Sequence, residues 1–69
     1  MTNTALLKQR IAESGMKKGK LAEKLHLSMD SFGRKVNNKR EFKASEIQAL
    51  CTVLNIESLE EKEQIFFAQ

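Results

Sequence analysis

The sequence predicts an all-α fold, a compact bundle of about five short helices in one domain that spans residues 1–69. Three observations support this prediction. The chain contains no proline, and its apolar residues recur at spacings of three and four, which is the period of an amphipathic helix. Its 69 residues can enclose only one small hydrophobic core, and no repeat or low-complexity segment divides them.

The first helix is expected at about residues 4–14. Its apolar side chains lie four residues apart and would share one face of the helix. Asn3 or Thr4 can cap the start of this helix with a side-chain oxygen, and Gly15 can take the left-handed conformation that ends it.

Two short helices and a tight turn come next. Three apolar residues predict a helix at about residues 18–25, and Ser28 can cap another at about residues 29–36. Phe32 and Val36 are four residues apart, so they would anchor this third helix together. Its other side chains are mostly polar or basic, and we expect them to face solvent.

The last two helices are predicted from their caps. Ser45 and Gln48 can form a capping box before the most regular apolar stripe of the chain, and Asn55 can end that fourth helix. Ser58 and Glu61 can form a second capping box, which opens the fifth helix.

Charge is distributed unevenly along the chain. Twelve basic and nine acidic residues give a net charge of +3. Residues 1–43 contain eleven of the basic residues and four of the acidic ones, a balance of +7, whereas residues 44–69 contain one and five, a balance of −4. The basic half includes the loop at residues 37–43, for which Phe42 is the expected core anchor. This half would turn toward a polyanion, because the local field steers association.

The composition excludes several functional classes. Cys51 and His26 are the only residues of their types, too few for a disulfide or a structural zinc site, and Cys51 is expected in the core. No apolar run reaches the roughly 18 residues of a membrane span, so we expect a cytoplasmic protein. The chain has no nucleophile beside a base, no paired carboxylates and no phosphate-binding glycine loop. We therefore expect no enzymatic activity, no metal or other cofactor and no small-molecule ligand.

The segment at residues 18–40, KGKLAEKLHLSMDSFGRKVNNKR, resembles the helix-turn-helix of the bacteriophage Cro and repressor family, the XRE-like proteins. It is most similar to small Cro-like proteins of phages from Gram-positive bacteria. That family has an alanine at the position of Ala22, where two helices cross closely. The resemblance covers about residues 4–58 and implies a lambda-repressor-like fold, with the helix-turn-helix at about residues 18–37.

Three positions depart from the pattern of that family. His26 stands where a glycine usually makes the turn, so a non-glycine residue would have to adopt the left-handed conformation there. Asn38 replaces another common glycine and tolerates that conformation better. Gly33 stands where the family often has a polar side chain that touches DNA.

The resemblance implies that the third helix enters the major groove of double-stranded operator DNA. The residues expected to reach base edges are Met29, Asp30, Arg34 and Asn37. Those expected to contact phosphates are Lys18, Ser28, Lys35, Asn38, Lys39 and Arg40. Arg34 is the strongest candidate, because its guanidinium can bond O6 and N7 of one guanine together. Asp30 would either accept a bond from a cytosine amino group or orient Arg34.

Two hypotheses for the function follow. In the first, the protein is a transcriptional regulator that binds its operator as a homodimer, with Leu59, Phe66 and Phe67 of the fifth helix as the contact surface. Two adjacent aromatic residues on a helix cannot both face one core, so partner burial is expected. In the second, the protein is a modulator or antirepressor that binds a phage repressor through the same fold and has weak DNA affinity of its own. The exposed Met29 and the missing side chain of Gly33 favour this alternative.

Overall fold

The structure, a computed structural model, describes residues 1–68. This part of the chain forms five α-helices: α1 (Thr4–Ser14), α2 (Lys18–Lys24), α3 (Met29–Val36), α4 (Ala44–Leu54) and α5 (Leu59–Phe66). There is no strand among residues 1–68, so the all-α prediction is confirmed. The molecule measures 27 × 24 × 21 Å. Within the same residues, no helix has the length and apolar character needed to span a membrane.

The first helix has the predicted bounds, and its cap is Asn3. The Asn3 side chain accepts a hydrogen bond from the backbone N–H of Leu6 at 3.1 Å. Thr4 is not the cap, because its hydroxyl donates to the carbonyl of Val36 at 2.6 Å and so ties α1 to the end of α3. Gly15 ends the helix with a φ of 73°, in the left-handed conformation expected for it.

The predicted cap of α4 is wrong. Ser45 and Gln48 do not form a capping box, because the helix begins earlier, with Lys43 as its cap residue. The carboxylate of Glu46 reaches back and accepts a bond from the backbone N–H of Lys43 at 2.8 Å. A glutamate at the third position of a helix satisfies a free N–H at the helix start in this way. Asn55 ends α4 with a φ of 58°, as predicted.

Every helix contributes apolar side chains to one core. Its members are Leu7, Ile11, Leu21, Ala22, Leu25, Phe32, Val36, Phe42, Leu50, Cys51, Leu54, Ile56, Ile65 and Phe66. Phe42 lies between two other rings, with centroid distances of 6.3 Å to Phe32 and 5.8 Å to Phe66, both edge to face. Its predicted role as the anchor of the loop is confirmed. The assignment of Phe66 to a partner surface is wrong, because this side chain is 3% exposed and packs in the core.

A buried ion pair joins α3 to α4. The Lys35 ammonium lies 2.6 Å from a carboxylate oxygen of Glu46, and the two side chains are 6% and 10% exposed. Burial acts to raise the pKa of Glu46, but Lys35 and the backbone N–H of Lys43 outweigh it and hold the pKa below its usual value. The expectation that Lys35 faces solvent is wrong, because its long side chain reaches an acid eleven residues away.

Gly33 lies in the interior of α3 without a steric reason to be glycine. No heavy atom lies within 4 Å of the place where a Cβ would stand. We therefore expect Gly33→Ala to raise the free energy of unfolding by roughly 0.5–1 kcal/mol, because glycine is a poor helix former. Urea denaturation measures this. Gly15→Ala is the contrasting variant and should lose stability, because the φ of Gly15 is 73°. A loss of stability in Gly33→Ala would contradict the packing of α3.

Candidate nucleic-acid interface

Helices α2 and α3 are joined by a tight turn at residues 25–28. His26 has a φ of 58°, the left-handed conformation expected at this position. The next residue, Leu27, donates its backbone N–H to the carbonyl of Ala22 at 2.9 Å. Ala22 is itself buried, and α2 packs against α3. The turn therefore holds α3 in one orientation on α2, which is the geometry of a helix-turn-helix.

One side of α3 is anchored and the other is open. Phe32 and Val36 are 1% and 2% exposed, and the Ser28 hydroxyl caps the helix by accepting from the N–H of Ser31 at 3.0 Å. The four residues predicted to read bases all face solvent: Met29, Asp30, Arg34 and Asn37. Their exposure agrees with the prediction, and their contact with DNA stays a prediction.

An ion pair lies on the exposed side of α3. A carboxylate oxygen of Asp30 is 3.0 Å from Nε of Arg34, and the two side chains are 76% and 58% exposed. They are four residues apart and therefore on one helical face. The Asn37 amide donates to the carbonyl of Gly33 at 3.0 Å, which leaves its oxygen free to accept another bond.

Basic residues stand at both ends of α3. The sulfur of Met29, at its start, lies 3.5 Å from where a Cβ of Gly19 would be, so the start of α2, which includes the exposed Lys18, adjoins the start of α3. At the other end, the backbone N–H of Lys39 donates to the carbonyl of Arg34 at 2.8 Å, which holds the loop with Arg40 against the helix. The structure adds two exposed lysines beside Lys18 that the sequence prediction did not include, Lys17 and Lys20. The density of basic residues around the start of α2 was their only signal in the sequence.

Two of the predicted phosphate ligands are engaged elsewhere. Lys35 is held by Glu46 in the buried pair, so its prediction is corrected. Asn38 has the expected left-handed φ of 62°, but its side-chain oxygen accepts from the backbone N–H of Thr2 at 2.9 Å and its amide donates to the carbonyl of Thr2. Asn38 thus fixes the N-terminal segment, and its side chain is not free for a phosphate. Of the six predicted residues, four remain exposed and able to contact a phosphate: Lys18, Ser28, Lys39 and Arg40. The oxygen of Ser28 also caps α3.

The sequence model of one protein family, the Cro/C1-type helix-turn-helix DNA-binding domain, matches residues 6–61 of this chain. The chain belongs to this family. The match runs from α1 into α5 and includes the whole helix-turn-helix. No curated protein and no solved structure matches the chain. As a Cro/C1-type domain, the protein is a DNA-binding transcriptional regulator, and DNA is its partner.

The predicted partner surface on α5 is divided in the structure. Leu59 and Phe67 are 71% and 60% exposed, whereas Phe66, the residue before Phe67, is buried. Phe67 borders a shallow depression that is also lined by Met1 and Ile47. The eight residues of α5 span about 12 Å. Two separate apolar side chains therefore remain exposed at opposite ends of α5 in this Cro/C1-type domain, Leu59 at its start and Phe67 just after its last residue.

Proposed function

We propose that this Cro/C1-type domain is a phage-type, Cro-like regulator that binds operator DNA and excludes RNA polymerase or a competing repressor from it. The observation that supports the proposal is the open side of α3. It presents Arg34 to solvent while Phe32 and Val36 hold the helix from behind. A helix of this kind can lie in the major groove while the preceding helix braces it.

The contacts of the proposed complex are assigned to those predicted residues whose side chains are exposed. Met29, Asp30, Arg34 and Asn37 reach base edges from α3. The phosphate contacts are made by Lys18, Ser28, Lys39 and Arg40, at the two ends of α3. Ser28 can serve as both cap and ligand, because its oxygen accepts from the helix while its hydroxyl hydrogen remains free to donate.

The proposed active species is a homodimer on a roughly palindromic operator. Two recognition helices would then sit about 34 Å apart, one turn of DNA. The exposed side chains of Leu59 and Phe67 supply the contact surface, because exposed apolar groups of this size gain stability by being buried against a second copy.

Binding-site selection from randomised duplexes, followed by footprinting at low salt, tests the proposal. We expect Arg34→Ala to relax specificity at one base pair, by about 1–3 kcal/mol of discrimination. Lys39→Ala should instead weaken binding to all sequences alike and reduce the salt slope by about one unit, because it removes one phosphate contact. If the wild-type protein protects no preferred site at low salt, the proposal is lost.

The second candidate function is a modulator that binds a phage repressor. The observation that favours it is Met29, an apolar side chain 57% exposed at the start of α3. Calorimetry with the partner repressor, with and without operator DNA, separates the two functions. A tight complex that forms without DNA and is lost in Met29→Ala would favour the modulator, whereas binding to the operator alone would favour the regulator.

A further inference from the structure

Asp30 is the only acidic residue in the sequence of α3, and it lies among basic residues. A carboxylate close to DNA phosphates weakens binding through repulsion, so its presence on the exposed side of α3 needs a compensating role. Asp30 also stands in the first turn of α3, where the helix dipole favours an acid by roughly 0.3–1 kcal/mol. That contribution is available at any exposed first turn and does not require contact with Arg34.

The contact between Asp30 and Arg34 is directional. The carboxylate lies on the Nε side of the guanidinium, at 3.0 Å. An arginine has one N–H donor on Nε and four on its two terminal nitrogens, and two of these four point forward side by side in a fixed fork. Among residues 1–68, no hydrogen bond or ion pair engages these terminal nitrogens of Arg34. The side chain of Arg34 is 58% exposed, so the two forward donors of its fork are available to a ligand.

We propose that Asp30 is a positioning residue, which holds Arg34 so that its two terminal nitrogens bond O6 and N7 of a single guanine. Asp30 thereby makes the domain specific for a G·C pair at that position. This inference rests on the proposed function, in which α3 enters the major groove. The guanine edge presents two adjacent acceptors, which match two parallel donors.

Electrostatics give this arrangement a second, measurable consequence. The pair of Asp30 and Arg34 carries no net charge, so it adds little to the attraction that any DNA sequence exerts on a basic protein. Without Asp30, the guanidinium is free to move and can take a phosphate instead of a base. Removal of the carboxylate should thus weaken discrimination and strengthen non-specific binding together.

The test compares Asp30→Asn with Glu60→Gln. Glu60 is a matched control because it occupies the same place in α5 as Asp30 does in α3, the second residue after a serine cap. Both variants lose one negative charge from an exposed first turn, at a cost small enough for the domain to stay folded. Affinity is measured for the selected operator, for a scrambled duplex and for a modified operator. In the modified operator, 7-deazaguanine replaces the guanine whose recognition requires Arg34.

We expect Asp30→Asn to lower the ratio of specific to non-specific affinity by about tenfold, within the range that one bidentate contact supplies. The salt slope of its binding to scrambled DNA should steepen by about one unit. Replacing the guanine with 7-deazaguanine should lower its operator affinity less than it lowers that of the wild type. Glu60→Gln should change none of these three quantities. In an Arg34→Lys background, Asp30→Asn should no longer affect the ratio, because a lysine has no fork to position.

Two different failures can be distinguished. If the wild-type protein selects no preferred site, the proposed function falls and the inference falls with it. If a preferred site depends on Arg34 but Asp30→Asn behaves like Glu60→Gln, the inference is overturned while the proposed function stands. The inference is likewise overturned, with the proposed function intact, if the base pair read by Arg34 is not G·C.

Discussion

Replacing Lys35 with alanine is expected to leave the domain at the edge of unfolding at 25 °C. The substitution strands the Glu46 carboxylate in a site where the pair is almost fully buried. Breaking a buried ion pair by removing one partner costs about 3–5 kcal/mol. A core of this size rarely supplies more than about 3–5 kcal/mol in total, so the loss is comparable with the whole free energy of unfolding.

Circular dichroism with urea and thermal denaturation measures this loss. Lys20→Ala is the matched control, because Lys20 pairs with Glu23 at 4.0 Å while both side chains are exposed. Exposed pairs contribute about 0–1 kcal/mol. The double variant Lys35→Met with Glu46→Leu should recover most of the stability, since apolar replacement of a buried pair is often neutral or better. A loss below about 1 kcal/mol in Lys35→Ala would contradict the burial of the pair.

The same pair predicts an acid dependence of stability. In the folded protein the pKa of Glu46 lies below its ordinary value of 4.5, and it returns toward that value in the unfolded chain, where Lys35 and the N–H of Lys43 no longer stabilise the carboxylate. The unfolded state therefore takes up the proton first as the pH falls. The contribution of Glu46 to stability is complete above pH 4.5 and declines below it, through the folded pKa. In Glu46→Gln this part of the acid dependence should be absent.

Phe42→Ala should cost about 3–5 kcal/mol, as the truncation of a buried phenylalanine usually does. The ring fills the space between Phe32 of α3 and Phe66 of α5 and meets both edge to face. It also anchors the loop that carries Lys39 and Arg40. We therefore expect the variant to lose DNA affinity beyond the loss of folded protein, because these two phosphate ligands lose their fixed position.

Phe67→Ala is the control for this prediction. Phe67 is the same residue type on the same side of the molecule but is 60% exposed, so its removal should change the free energy of unfolding of the monomer by less than about 0.5 kcal/mol. If Phe67 is part of the dimer contact, sedimentation equilibrium should show weaker association in the same variant. Equal losses of stability in the two variants would contradict the central place of Phe42 in the core.

Most local features of this chain, the start of α4 excepted, were predictable because their causes lie within a few residues. The ends of α1 and α3 depend on Asn3, Gly15 and Ser28, whose side chains or backbone satisfy groups in the adjacent turn. The left-handed conformations of His26 and Asn38 followed from their place in the helix-turn-helix pattern. The open side of α3 followed from the spacing of its two apolar anchors.

The errors at the DNA-facing surface concern contacts between distant parts of the chain. Lys35 and Asn38 are polar residues in or next to an exposed helix, and nothing in their immediate sequence distinguishes them from Lys39. Lys35 is buried by its pairing with Glu46 on α4, and Asn38 remains exposed but has its side-chain amide bonded to Thr2, before α1; only the folded chain brings these partners near.

The order of the residues was enough to establish that the protein is helical, that it contains a helix-turn-helix and that eleven of its twelve basic residues lie in the half that bears this motif. Helix periodicity, capping and charge are properties of neighbouring residues, and they survive in any arrangement of the helices. Three further outcomes required the folded chain: which of the two adjacent phenylalanines enters the core, which cations remain free for DNA, and the approach of Asp30 to the Nε side of Arg34. These outcomes depend on packing and distance, because burial and ion pairing are set by whichever groups the fold brings within a few ångströms.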